Sequence, residues 1–210
     1  MAKQATAGIG GTVPSSGNKK LFEGKIMEAE KPELAIVKRL FALQLSGNGI
    51  SASDFSRLSG EEKEHLEIKG GSYCLKQESR KKLTVVMTGG VFDVLHAGHV
   101  FTLNEAAKLG NFLVAVVATD ETAMKSKGKL LHPQAYRLYL VSNLKAVDIA
   151  MPGVGRKEDT LERVAPDIVV FGYDQKLQTV RTGQFRTVKL DLDMDSEMLK
   201  SSKIISSMGY

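Results

Sequence analysis

Apolar positions along this 210-residue chain change rhythm twice. Residues 1–20 are mostly Gly, Ser, Ala and Lys with almost nothing to bury, which predicts a disordered tail. From Pro32 the spacing becomes helical: Leu34, Val37, Phe41 and Leu45 fall on one face, and the pattern stops at "SGNG". In "ISASDFSRLSG", Ser51 is placed to cap a short helix whose Phe55 and Leu58 turn inward. Ser59 and Glu62 form a capping-box signature that opens a third helix in "GEEKEHLEIKG". "GSYCLKQESRKKL" then reads as a short strand or hairpin with a basic end. From Leu83 the rhythm changes again. "LTVVMTGG", "FLVAVVATD" and "AVDIAMPG" are short continuous apolar runs, as buried strands are. "GHVFTLNEAAKLG" puts Val100, Leu103, Ala106 and Ala107 on one helical face and ends at Gly110, a C-cap signal. "KEDTLERVAPDIVVFGYD" gives a helix, a break at Pro166 and a fourth strand. "FRTVKLDLD" predicts a fifth, before a closing helix near "SEMLKSSKIISSMG".

Apolar strands alternating with helices predict an α/β fold, a doubly wound parallel sheet covered on both faces. Ligands of such sheets sit beyond the carboxyl ends of the strands, where Thr88–Gly90, Thr119–Asp120 and Gly172–Asp174 fall. The expected division is a tail over 1–20, a small helical unit over 21–82 and the α/β domain over 83–210. Three short helices and a hairpin make the middle unit resemble a winged helix.

Charge bears on what that unit does. Of the net +5, residues 1–82 hold +4 (14 Lys and Arg against 10 Asp and Glu), and the rest +1 (15 against 14). A basic appendage suggests nucleic acid, but the expected third helix carries Glu61, Glu62, Glu64 and Glu67 against Lys63 and Lys69. Carboxylates facing a polyanion cost affinity, so docking or homodimer formation is expected rather than DNA binding. Cys74 is the lone cysteine, which excludes an internal disulfide and a multi-cysteine zinc site. No run approaches the roughly 18 apolar residues of a membrane span, and the N-terminus has no apolar signal region. The expectation is a soluble cytoplasmic protein with no membrane partner.

"TGGVFDVLHAGHV", residues 88–100, sets His96 and His99 around Ala97 and Gly98. A zinc pair would need a third ligand, and none is obvious nearby. Core histidines are possible, but these flank a glycine at a strand-to-helix junction. There the helix start offers free N–H groups and a positive dipole end, and Gly98 lets a phosphate approach. The favoured reading is a phosphate cradle.

"GGVFDVLHAGH" is similar to the Gly-x-Phe-Asp-x-x-His-x-Gly-His signature of cytidylyltransferase-like nucleotidyltransferases. The resemblance continues in order through "ATDETAMKSKGK", "AYRLYLVSNLKAVDIAMPG", "PDIVVFGYDQ" and "SSKII", over residues 83–208. Within that superfamily the chain resembles the archaeal FAD synthases most, through "GYDQ" and a "VD" followed by a small-residue turn; glycerol-3-phosphate cytidylyltransferases come next. It departs from the pattern at Val91, where Thr is common. It also departs at Glu197 and Lys200, where the FAD synthases carry Cys-x-x-Cys, and at Asp195, where the cytidylyltransferases have Arg.

The resemblance implies a Rossmann-like fold and transfer of a nucleotidyl group to a phosphorylated acceptor, with release of pyrophosphate. It implies that His96 and His99 bind the nucleotide phosphates, Ala97 and Gly98 between them line the nucleotide site, and Val91 and Phe92 contact the nucleotide through backbone. Lys125 and Lys127, with Lys129, would lie in a loop closing over the triphosphate, Lys127 acting in catalysis; a solvated basic loop is the alternative. Arg137 would hold the acceptor phosphate, or be a surface helix arginine. Asp174 would meet ribose or base, or cap a turn. Ser201 and Ser202 would bind phosphate, or cap the last helix. Magnesium is expected with the nucleotide, without a dedicated protein metal site. The leading expectation is ATP plus FMN giving FAD. The alternatives are a CTP-dependent glycerol-3-phosphate-type cytidylyltransferase and a nucleotide-sensing DNA-binding regulator. Residues 83–210, holding every phosphate-binding element, are expected to suffice for the chemistry.

Overall fold

The helical face that begins at Pro32 forms α1 (Pro32–Ser46), with Val37, Leu40, Phe41 and Leu45 buried, in a computed structural model that describes residues 30–172, 175 and 185–191. The expected tail, Asp174, Ser201, Ser202 and the closing helix lie outside the described residues. Two short helices follow, each started by a serine. α2 (Ala52–Ser56) is capped by the Ser51 hydroxyl, which accepts from the Asp54 N–H at 3.1 Å. At α3 (Gly60–Glu64) the box is reciprocal: the Ser59 hydroxyl accepts from the Glu62 N–H, and the Glu62 carboxylate from the Ser59 N–H at 2.8 Å.

The third helix is shorter than its acidic composition suggests, because a hairpin takes its second half. β1 (Leu66–Lys69) pairs antiparallel with β2 (Ser72–Leu75), Lys69 opposite Ser72. Gly70 and Gly71, at φ 60° and 82°, form the two-residue turn, a conformation that favours glycine at both positions. Glu67 therefore belongs to a strand. A single turn of helix, α4 (Gln77–Arg80), leads into the sheet.

The α/β body runs β3 (Val85–Gly90), α5 (Ala97–Ala107), β4 (Phe112–Val117), α6 (Asp120–Lys127), α7 (Gln134–Ser142), β5 (Ile149–Pro152), α8 (Lys157–Val164), β6 (Ile168–Phe171) and β7 (Arg186–Lys189). The strands are parallel in the order β5-β4-β3-β6-β7. The chain winds outward from β3 to β5, then returns to the other side of β3. That reversal makes the sheet doubly wound and puts its switch point at β3 and β6.

Strand periodicity divides the side chains between two layers. Val86, Leu113, Ala115 and Val117 pack with Leu103 and Ala106 of α5 and Val141 of α7. Val85, Met87, Phe112 and Val114 pack with Leu161 and Val164 of α8, and also with Val37, Leu40, Phe41 and Leu45 of α1. The Phe41 and Phe112 rings meet edge to face at 5.2 Å.

Residues on both sides of position 82 thus share one core, and polar ties reinforce it. The Arg80 guanidinium donates to the Ala165 carbonyl at 2.7 Å and to Asp167, whose carboxylate also accepts from the Val85 N–H. Arg163 of α8 donates to the carbonyls of Leu45 and Gly47 at the end of α1. Among the described residues no helix is long and apolar enough to cross a membrane.

Candidate active site

The turn after β3 is shaped by Gly90 and Phe92. A Cβ on Gly90 would lie 2.8 Å from the Phe92 ring, so only glycine lets that ring fold under the strand end. Phe92 is buried and takes a left-handed backbone, φ 54°. Asp93, buried next to it, accepts from the N–H groups of Leu131 and His132 at 2.9 and 2.8 Å. The Asp93 carbonyl also meets the His132 ring at 2.9 Å, which fastens the segment before α7 beside the turn.

His96 starts α5. Its Nδ1 accepts from the Gly98 N–H at 3.2 Å, so in the neutral ring the proton sits on Nε2. His99 lies one turn on, stacked on His96 with centroids 3.9 Å apart, while the Phe92 ring closes its other side at 5.2 Å. Burial first, then the neighbouring His96 and Lys127, push the His99 pKa down to about 3, against an opposing backbone hydrogen bond at Val94. His99 is therefore a neutral imidazole at physiological pH. Its Nδ1 is buried without a hydrogen-bond partner among the described residues. An unsatisfied buried nitrogen beside a helix start is what a site awaiting a polar ligand presents.

Lys125 and Lys127 sit on a helix, where a loop was expected, and Lys129 follows its end. The Thr119 hydroxyl caps α6 by accepting from the Thr122 N–H, Asp120 and Glu121 occupy its first turn, and Gly128 at φ 72° ends it. Lys125 pairs with Glu121, 2.6 Å away, in an exposed i,i+4 contact that a phosphate can displace. Lys127, two residues on, is the one that acts electrostatically on His99.

Arg137 of α7 is fully buried, where either the acceptor phosphate or the surface was expected. Its guanidinium donates to the carbonyls of His132 at 3.0 Å, of Ala118 at 2.7 Å and of Val91, and to Asp120 at 2.7 Å. It binds together the segments that leave β3 and β4 and the one that enters α7. The atom of Val91 in use is its carbonyl, which any residue supplies, so the departure from Thr costs nothing in this contact.

Two glutamines escaped the sequence reading. Gln134 donates to the carbonyls of Val117 and Gly153, joining the ends of β4 and β5. Gln175 donates to the Gly89 carbonyl at 2.8 Å and accepts from the Gly172 N–H at 3.1 Å, bridging the ends of β3 and β6 at the switch point. Gln175 and Asp93 both lie inside quoted motifs, "GYDQ" and "VFDV", and their motif positions were the available signal. The structure thus gathers Phe92, His96, Gly98, His99 and Lys127 at one sheet end.

The sequence profile of the cytidylyltransferase-like family matches residues 87–206, more than half of the chain, and the chain belongs to that family. Among its relatives is the FAD synthase of Aciduliprofundum boonei, 43% identical over 131 residues, which cover 57% of this chain and 87% of that protein. The FAD synthase of Thermoplasma acidophilum is 38% identical over 138 residues, covering 59% and 96%. A solved structure described as the lipopolysaccharide core biosynthesis protein from Thermoplasma volcanium is 39% identical, with a TM-score of 0.49 over 52% of this chain and 97% of that one.

Proposed function

We propose that this chain is an FAD synthase, transferring AMP from ATP to the phosphate of FMN with release of pyrophosphate. The observation that carries the reading is its similarity to archaeal FAD synthases along most of their length. The paired imidazoles at the start of α5 supply the chemistry such a transfer needs.

The acceptor phosphate carries close to two negative charges at pH 7 and needs no general base. The protein's work is then to align it with the α-phosphorus and to stabilise charge on the leaving pyrophosphate. His96 donates from Nε2, because its other nitrogen is held by Gly98. His99 lies beside it as a neutral imidazole. The backbone of Val91, Phe92, Ala97 and Gly98 frames the nucleotide, and Lys127 brings a positive charge beside His99. Lys125, Asp174, Ser201 and Ser202 complete the nucleotide side in this proposal. Arg137 acts as a positioning residue, since its donors are taken up by protein acceptors.

A divalent ion fits as a passenger of the triphosphate, whose charge it neutralises when bound. Asp93 is spent on Leu131 and His132, and Asp120 on Arg137. In this proposal magnesium's ligands would be mainly phosphate oxygens and water. ATP and FMN as substrates put the reaction in the cytoplasm. Residues 21–82 serve as a winged-helix-like docking unit, of which α1 packs on the sheet, with the homodimer as the simplest partner.

The test is pyrophosphate release across a matrix of ATP and CTP against FMN and glycerol-3-phosphate. Turnover confined to ATP with FMN is the expected result. Turnover confined to CTP with glycerol-3-phosphate would replace it by the cytidylyltransferase reading.

A further inference from the structure

A cavity of about 250 Å³ lies between the turn that ends α1, the β1–β2 hairpin and α8, and shares no lining residue with the histidine site. The lining residues that matter here are Gly47, Asn48, Gly49, Lys69, Ser72 and Arg163. Two of them are cations, and no carboxylate lines the cavity. Glu67 stands across the hairpin from Cys74 but is not part of the wall.

Arg163 shows what is missing. Its NH2 group donates to the carbonyls of Leu45 and Gly47, contacts that hold the side chain without balancing its charge. Its Nε is buried and has no acceptor among the described residues. A partly buried guanidinium is ordinarily paired and satisfied, because leaving either condition unmet costs free energy. Lys69 likewise has no carboxylate partner among the described residues, and Ser72 and Asn48 add neutral polar groups to the same wall. A concave wall of donors with two unbalanced positive charges matches a tetrahedral oxyanion, which guanidinium groups bind through paired N–H bonds.

We propose that this cavity binds a small oxyanion of the phosphate class, either free phosphate or a compact phosphate monoester. The anion bridges Arg163 on α8 and Lys69 on the hairpin, fastening the N-terminal unit to the sheet layer that leads into β6. The proposal does not depend on which nucleotide or acceptor the histidine site uses.

The experiment uses the full chain carrying His96→Asn and His99→Ala, which keeps the α5 cap and weakens the other phosphate-binding position. Inorganic phosphate and glycerol phosphate are titrated separately at constant ionic strength, with chloride as the control salt. The backbone amide resonances of Gly47, Asn48, Gly49 and Lys69 are followed by NMR. Saturable shifts in the millimolar range are expected at these amides, and Lys69→Glu, at an exposed position that folding tolerates, should weaken them roughly tenfold or more. Tighter binding of the ester identifies a phosphorylated metabolite as the occupant, and equal binding identifies phosphate itself. Absence of saturable shifts, a response matched by chloride, an unchanged Kd in Lys69→Glu, or a response to duplex DNA alone would each overturn the proposal.

Discussion

Arg137→Lys separates two roles for one side chain. An arginine that grips the acceptor phosphate would, on replacement by lysine, leave folding intact and raise the KM for FMN. The buried guanidinium predicts the reverse. Its four contacts, to the carbonyls of Val91, Ala118 and His132 and to Asp120, come from four directions that a single ammonium cannot satisfy together. If lysine keeps two, two buried hydrogen bonds are lost at about 1–1.5 kcal/mol each, or roughly 2–3 kcal/mol. For a chain of this size that lowers Tm by about 4–12 °C. Arg137→Ala, which strands three carbonyls and Asp120, would cost about 3–5 kcal/mol, close to the lower limit of a domain's whole stability, so the lysine variant is the informative one. Its kcat should fall, since the Val91 turn and the start of α6 lose their common anchor, while the KM for FMN stays within about twofold. Thermal denaturation and steady-state pyrophosphate release with FMN varied measure both quantities. A wild-type Tm together with a raised KM for FMN would refute the reasoning.

His99→Ala should lower turnover about 10²-fold, the scale for one oriented transition-state donor, with Tm little changed; near-normal pyrophosphate release would remove it from catalysis. Between pH 6.5 and about 3 the unfolded His99 holds a proton that the folded one rejects, so stability falls as pH drops through that window. The slope is at most about 1.4 kcal/mol per pH unit, and His99→Gln should flatten it in denaturant titrations at stepped pH. Gln175→Glu replaces the donor that holds the Gly89 carbonyl with a second acceptor; about 1–3 kcal/mol of local stability should go, read as a several-fold lower kcat, and unaltered kinetics would show the bridge is dispensable. A chain starting near Lys81, expected from motif content to suffice, loses four α1 side chains that are each at most 2% exposed. At about 1.5–3 kcal/mol apiece their burial is worth roughly 6–12 kcal/mol, so this fragment should aggregate or melt near ambient temperature, as light scattering and circular dichroism would report.

The strands were readable because a parallel sheet buried on both faces leaves continuous apolar runs, and "FLVAVV" or "IVVF" suit little else. The serine caps were readable because capping is local chemistry. The Gly70–Gly71 turn and α6 were equally local, and were missed: two glycines flanked by strand formers signal a hairpin, and Thr119, Asp120, Glu121 and Gly128 frame a helix by start and stop rules. Arg137 is different in kind. Its partners lie 5, 17, 19 and 46 positions away, and no spacing in the sequence brings them together. The same holds for α1, whose apolar face was plain while the sheet it covers was not.

His96 has one nitrogen committed to architecture and the other to chemistry. Its Nδ1 accepts from one of the free N–H groups at the start of α5, so a histidine lost by mutation takes that cap with it. Most replacements therefore strike twice, and an inactive variant says little about which blow mattered. Asparagine is the instructive exception, as a strong cap without an imidazole. An evolutionary path away from this chemistry that kept the fold would pass more easily through Asn, Ser, Thr or Asp at position 96 than through Ala. Domains of this architecture that have turned to pure ligand binding should carry such residues at the start of their first helix after the central strand.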